Sequence, residues 1–234
     1  MVQPGGDAAR SPVFLLDLSH PMTTTLTTER LIDALSSDLR AASRTRIWGW
    51  PVVGSAIAAM IGVAAIFGVG HLDIHPPPGL WLKELYVLAL AAASLRLASH
   101  LGRPGVDARG AAAMLLLVLA IGGSAGAIEL VATRPADRLA IWLGETWTIC
   151  GRNILIVTLF PAPLLVYAMR KFAPVRPRAA GAALGASAGA IAAAAYGFFF
   201  CPEVSLAFVA TWYSLGVAAA ALLGFLAGRT LLRW

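Results

Sequence analysis

Charged residues are scarce in this chain. They make up 13% of its 234 residues, against about 25% in soluble domains. Cysteine is rarer still: two residues, far apart, exclude a disulfide-dense fold and a CxxC redox motif. The sequence shows no Ser/His/Asp set, no phosphate-binding glycine loop and no HExxH motif. These absences argue against a soluble globular domain and against an enzyme.

Apolar residues dominate instead, at 59% of the chain. Six apolar stretches come close to the roughly 20 residues that cross a bilayer: 48–70, 82–101, 110–128, 153–169, 179–200 and 204–228. Pro161 and Pro163 should kink the fourth. Lys83, Glu84 and Arg96 lie near the ends of the second, and we interpret them as anchors that reach the interface. The sequence therefore predicts an all-α polytopic membrane protein with six transmembrane helices in one bundle.

Basic residues indicate the orientation of this bundle. The first, third, fifth and seventh segments outside the spans are rich in arginine, whereas the intervening segments hold Lys83, Arg134, Arg138 and Arg152 among several acidic residues. The positive-inside rule then places both termini in the cytoplasm. We expect a multi-pass protein of the bacterial inner membrane, surrounded by the lipid bilayer. The net charge of +6 belongs to cytoplasmic loops, so no direct nucleic-acid partner is expected.

Both cysteines fall on the predicted outer side. Cys150 precedes the fourth stretch and Cys201 separates the fifth from the sixth. In a bacterium this side is the oxidising periplasm, where disulfides persist. The pair is either functional, as a disulfide or a two-thiolate metal site, or two unpaired small apolar residues. His71 and His75 share this side as weak metal candidates. We expect no cofactor, apart from a heavy-metal ion as a candidate signal.

Glycines recur at four-residue spacing in three stretches: Gly122 and Gly126, then Gly181, Gly185 and Gly189, then Gly224 and Gly228. Small residues let helices approach closely in lipid. Such rows could form a dimer face or pack within one bundle. A six-span protein must bury many faces, which favours packing within the bundle; the oligomeric state stays open.

The segment before the first stretch divides in two. Residues 1–21 lack periodicity, contain QPGGD and are predicted to be disordered; Met22 is an alternative start, and VFLLDL is too short for a signal peptide. Residues 22–46 predict a cytoplasmic amphipathic helix whose apolar stripe is Leu31, Ile32, Leu35 and Leu39. A short isolated helix is marginal in water, and its polar face is largely acidic. A protein partner is therefore favoured over docking on residues 47–234 or on the membrane surface.

Several motifs together resemble one family. A helix with LIDALSSDLR precedes six spans, a cysteine lies before the fourth, and CPE, WYSLG and GRTLLRW follow. From about residue 22 to 234 the chain resembles the NrsF-type (negative regulator of sigma F) membrane anti-sigma factors. The resemblance implies that Leu31, Ile32, Leu35 and Leu39 hold an extracytoplasmic-function sigma factor at the membrane. It also implies that Cys150 and Cys201 are sensor thiols, with release under heavy-metal or oxidative stress.

A small six-span transporter or a membrane scaffold is the alternative. Transporters usually carry ionisable residues in mid-span and broken helices in corresponding halves, and the sequence shows neither. A transporter would work without residues 22–45, whereas an anti-sigma factor would lose its partner.

Overall fold

The computed structural model describes residues 46–68, 78–172 and 174–233. Across these ranges the chain is helical and contains no strand. Eight helices follow in order: α1 Arg46–Phe67, α2 Pro78–Leu101, α3 Arg109–Ala132, α4 Arg138–Leu143, α5 Trp147–Thr158, α6 Ala162–Arg170, α7 Pro177–Phe199 and α8 Leu206–Leu231. The predicted stripe of Leu31, Ile32, Leu35 and Leu39, the predicted disordered extension, and the His71 and His75 pair lie outside the described residues.

Four helices are long and apolar enough to cross a membrane, namely α1, α3, α7 and α8. A fifth span results if α4–α5 and α6 count together, because they are joined through a short break and bent by 45°. Pro161 lies in that break and Pro163 lies in the first turn of α6, so the kink expected from the prolines is confirmed. Helix α2 has 24 residues but is not among the four. Length and composition thus support four or five spans in the described part of the chain.

Helix α7 occupies the centre of the bundle. It packs against α8, α2, α5 and α1. In its most apolar 18-residue stretch 72% is buried, against 17% in the corresponding stretch of α3. Alanine and glycine dominate its sequence, and side chains this small let several helices approach one axis. The poorly buried helices α1 and α3 instead present large apolar side chains such as Ile61 and Leu116 to the outside. A central small-residue helix within apolar outer helices is the arrangement that lipid requires.

The glycine rows of α7 and α8 face each other. A Cβ added at Gly181 would collide with the carbonyl oxygen of Gly224, and one added at Gly185 would collide with that of Ala220. The glycine row of α3 also packs within the chain, since Gly122 lies against the Tyr86 ring of α2. These glycines therefore pack against helices of their own chain, as the interpretation favoured above expects.

The α7–α8 contact should be intolerant of side chains. We expect Gly185→Leu to lower the free energy of unfolding by about 1–3 kcal/mol through overpacking, which lowers the melting temperature of the detergent-solubilised protein by roughly 2–12 °C. The control is Gly123→Leu, because a Cβ at Gly123 meets nothing within 4 Å. Thermal unfolding followed by tryptophan fluorescence distinguishes the two variants. Equal melting temperatures would contradict this packing.

Candidate functional site

The two cysteines meet inside the bundle. Cys150 lies in the first turns of α5 and Cys201 in the loop between α7 and α8. Their sulfur atoms are 3.4 Å apart, although 51 positions separate them in sequence. Both thiols are free, Cys150 is fully buried and Cys201 is 4% exposed. The structure thus brings together two residues that the sequence could place only on the same predicted side.

Hydroxyl groups surround this thiol pair. The Thr146 hydroxyl oxygen lies 3.2 Å from the Cys150 sulfur and 3.9 Å from the Cys201 sulfur. On the other side, the Tyr196 hydroxyl oxygen lies 3.9 Å from the Cys150 sulfur. That oxygen accepts a hydrogen bond from the Asn153 amide at 3.1 Å. The thiols therefore occupy a small polar niche within an apolar core.

Lys83 holds the loop that carries Cys201. Its ammonium group donates to the carbonyl oxygens of Gly197 at 3.0 Å, Cys201 at 2.9 Å and Glu203 at 3.0 Å. An ammonium group has three donors, and each one has a partner here. The interpretation of Lys83 as an interfacial anchor is wrong, because its side chain is fully buried. Carbonyls at the last turn of α7 and in the loop replace the water that such a charge would otherwise need.

Two carboxylates fix the loop between α7 and α8 through hydrogen bonds. Glu203 accepts a hydrogen bond from the Glu145 backbone N–H at 2.7 Å and another from the Thr146 hydroxyl at 3.4 Å. Glu129, in α3, accepts from the Ser205 hydroxyl at 2.9 Å and from the Ala207 backbone N–H at 2.7 Å. The loop between α7 and α8 is thus tied to α2, α3 and the start of α5.

The position of Cys201 favours its ionised form. This residue lies in a loop, outside the candidate spans. Its hydrogen bond with Cys150 lowers the pKa of Cys201 most, while burial opposes this and the Lys83 ammonium supports it, so the pKa falls to about 6. Because the thiolate is the nucleophile and the metal ligand, this lowered pKa makes Cys201 the candidate for the attacking sulfur of the pair.

Two further polar groups lie beside the niche. The Glu84 carboxylate oxygen Oε1 and the Tyr213 hydroxyl are buried and make no hydrogen bond of normal geometry within the described residues. A Cβ added at Gly197 would come within 2.8 Å of that Glu84 oxygen and 3.2 Å of the Tyr213 hydroxyl. A larger residue at this turn of α7 would therefore have to displace the ends of these two side chains. Glu84, like Lys83, points into the bundle and is 6% exposed, so its assignment as an interfacial anchor is also wrong.

The chemistry available to the site is that of two thiols. In the described ranges no group of three or more His, Cys, Asp or Glu side chains assembles into a metal site. Arg152 is close to Cys150 in sequence, but its side chain is exposed. The pair can form a disulfide or provide two thiolate ligands to a soft metal ion.

The tryptophans beyond the site attach α4 to α8. The Trp212 indole N–H donates to the Trp142 carbonyl at 2.9 Å, and the Trp142 indole donates to the Thr211 hydroxyl at 3.2 Å. Trp212 and Tyr213 belong to a π-helical segment, Val209–Tyr213. Such segments occur often at functional sites. These hydrogen bonds and the indole rings thus fix the short helix α4, Arg138–Leu143, against α8.

Sequence reasoning missed the roles of Lys83, Tyr196 and Tyr213. A signal existed for Lys83, because an ionisable residue in a span is a functional candidate by default. The tyrosines gave no such signal, since aromatic residues in apolar helices are usually packing residues.

Comparison with known proteins gives consistent matches. The family model for NrsF, negative regulator of sigma F, matches residues 31–234. The chain is 36% identical over 217 residues to the anti-sigma-F factor NrsF of Caulobacter vibrioides, covering 88% of this chain and 99% of that protein. It is 34% identical over 188 residues to the probable anti-sigma-F factor NrsF of Azospira oryzae, covering 80% of this chain and 86% of that protein. No solved structure gives a significant match.

The matched range contains every residue of the thiol site, from Lys83 to Tyr213, as well as the motifs that suggested the family resemblance. The chain belongs to the NrsF family, the negative regulators of sigma F.

Proposed function

We propose that this protein is a membrane anti-sigma factor that sequesters an extracytoplasmic-function sigma factor through the cytoplasmic helix of residues 22–46. Heavy-metal or oxidative stress in the periplasm acts on Cys150 and Cys201 and releases the sigma factor. Family membership and the names of the two relatives support the anti-sigma role. One observation carries the sensing role: two buried free thiols from different segments lie 3.4 Å apart.

The proposal requires six spans with both termini in the cytoplasm of a bacterial inner-membrane protein. Helix α2 is long enough, because 24 residues rise by about 36 Å. The hydrogen bonds of Lys83 direct its charge toward protein carbonyls, not toward lipid. With α2 and the bent α4–α6 segment added to the four apolar helices, the count is six. The distribution of arginines then favours this orientation.

Oxidation of the pair has a simple balance. The two thiols lose two protons and two electrons as the sulfur–sulfur bond forms, and the disulfide of a periplasmic thiol oxidase accepts them and becomes a dithiol. The Cys201 thiolate is the attacking group, and Cys150 supplies the second sulfur. A soft metal ion would instead displace the protons and bind to both sulfurs.

A disulfide would pull the start of α5 and the α7–α8 loop together, because bonded sulfurs lie about 2 Å apart. A metal ion bound to both thiolates at about 2.3 Å would instead push the two sulfurs beyond their present 3.4 Å. Both reactions therefore change the spacing of these two segments. Helix α5 also contacts α1, and α6, beyond the proline break, packs against α1 more extensively. Helix α1 begins at Arg46, the last residue of the proposed sigma-binding segment. A change from mostly bound to mostly free sigma factor requires about 5 kcal/mol of differential stabilisation. Disulfides contribute up to about that amount.

The anti-sigma role is tested on the full-length protein in detergent. It should retain a co-expressed extracytoplasmic-function sigma factor of the source bacterium on an affinity column. Leu35→Asp with Leu39→Asp should abolish retention, because two carboxylates would enter the apolar stripe. The matched control, Ser37→Asp with Ala41→Asp, adds the same charge four residues apart on the opposite helical face and should retain it. If the protein retains none of the extracytoplasmic-function sigma factors of the source bacterium, the result would favour a transporter or a membrane scaffold.

The thiol switch is tested by serine substitution. Cys150→Ser with Cys201→Ser should leave basal repression intact and abolish induction of a sigma-dependent reporter by cadmium or by diamide. In the wild type, mass spectrometry after diamide treatment should detect a peptide crosslinked through both cysteines. Induction that persists in the double variant would refute the sensing mechanism and leave the anti-sigma role standing.

The effect of Lys83 is tested by the pH dependence of Cys201 alkylation. In the wild type the midpoint should lie near the pKa of about 6. Lys83→Met removes the nearby cation, which raises the pKa of Cys201 and moves the midpoint upward. Lys83→Arg, which keeps the cation but also disturbs the loop, is the diagnostic control: its midpoint should stay below that of Lys83→Met, whereas a loosened loop alone would raise both midpoints alike. Lys171→Met, at an exposed lysine, should leave the midpoint unchanged; a Lys83→Met profile identical to the wild type would contradict this role.

A further inference from the structure

A cavity of about 960 Å³ opens between α2, α3, α7 and α8. It lies at the ends of these helices that are remote from the thiol site, since it involves the last turns of α2 and the first turns of α3 and α7. Its volume is in the range of sites that hold a small molecule. The function proposed above makes no use of it.

The walls of the cavity are apolar. Leu97, Ala112, Leu115, Ala183, Ala186 and Phe225 contribute to them. Along α7 the lining extends from Ala179 to Ala186, which corresponds to about 10 Å of helix. These wall residues of α3 and α7 belong to helices long and apolar enough to cross the membrane. The deeper part of the cavity therefore lies at the level of the lipid hydrocarbon.

The rim of the cavity is basic. Arg103, Arg109 and Arg176 line it, and within the described residues none of their guanidinium groups pairs with a carboxylate. Arg103 lies 5.9 Å from the centre of the Phe172 ring. Asp107, the acidic residue of the rim, accepts a hydrogen bond from the Arg109 backbone N–H at 2.9 Å. The His100 Nδ1 atom lies 2.9 Å from the backbone carbonyl oxygen of Asp107.

A basic rim above apolar walls complements a molecule with an anionic head and a hydrocarbon tail. A water-soluble anion would leave the walls uncovered, and a zwitterionic lipid would bring its own cation to three guanidinium groups. Basic pockets between transmembrane helices on the cytoplasmic side bind anionic lipid headgroups. We propose that this cavity binds one anionic phospholipid, with its phosphate at Arg103, Arg109 and Arg176 and an acyl chain along the α3–α7 wall. The inference uses the orientation given under Proposed function, which places the rim at the cytoplasmic face.

The test is native mass spectrometry of the purified full-length protein in detergent, with phosphatidylglycerol or phosphatidylcholine of the same chain length. We expect one bound phosphatidylglycerol, with an affinity at least about tenfold above that for phosphatidylcholine. The triple variant Arg103→Gln, Arg109→Gln and Arg176→Gln should lose this preference. The control triple variant, Arg96→Gln, Arg229→Gln and Arg233→Gln, removes the same charge at exposed positions outside the cavity lining, and should keep it.

A second variant tests the acyl-chain part of the site. Ala112→Phe fills the cavity from α3, keeps all three arginines and should reduce phosphatidylglycerol binding. Equal binding of the two lipids, equal loss in both triple variants, or retention in Ala112→Phe would overturn the proposal. Displacement of phosphatidylglycerol by glycerol phosphate at similar concentration would also overturn it, because it would indicate a site for the headgroup alone. No sigma factor is present in this assay, so its failure leaves the anti-sigma proposal intact.

Discussion

The thiol site depends on one interaction, the three hydrogen bonds of the buried Lys83 ammonium group. A charge of this size inside a protein is costly unless every donor finds an acceptor. Lys83 meets this requirement by fixing the last turn of α7 and two carbonyls of the following loop relative to α2. The position of Cys201 follows directly, because its own carbonyl is one of the three acceptors. The same ammonium group helps the Cys150 hydrogen bond to lower the pKa of Cys201, so one lysine both positions this sulfur and favours its thiolate form.

This local arrangement needs a scaffold that moves little, and the α7–α8 contact supplies it. The backbones of the two helices approach so closely that a methyl group at Gly181 or Gly185 would collide with a carbonyl oxygen of α8. Helices packed this closely cannot bend gradually past each other. A change at one end of such a pair therefore displaces whole helices. The loop between α7 and α8 carries Cys201. A bond formed between Cys201 and Cys150, as proposed, would therefore act on a rigid pair of helices, and the displacement would fall on α5 and its proline-bent continuation α6.

The sequence predicted the elements better than the contacts between them. Apolar run length and proline placement identified the helices and the bend at Pro161, because these properties are local. The cysteine pair could be predicted to share one side of the membrane but not to be in contact, since the two residues are 51 positions apart and the packing of three helices brings them together. Lys83 was misread for a related reason. A lysine near the end of a span is usually an interfacial anchor. Only the packing of α2 against the last turn of α7 and the following loop shows that backbone carbonyl acceptors are available inside the bundle.

The two ends of the bundle differ in a way that matters for switching. The thiol site joins the start of α2 to the end of α7, whereas the arginine-rimmed cavity joins the end of α2 to the start of α7. A ligand shifts a conformational equilibrium only through its difference in affinity for the two states. A phospholipid held at the cytoplasmic end would fix the spacing of α2, α3 and α7 there, so a displacement caused by the thiols would be directed to α5, α6 and α1. That route ends at Arg46, the first residue of α1 and the last of the proposed sigma-binding segment.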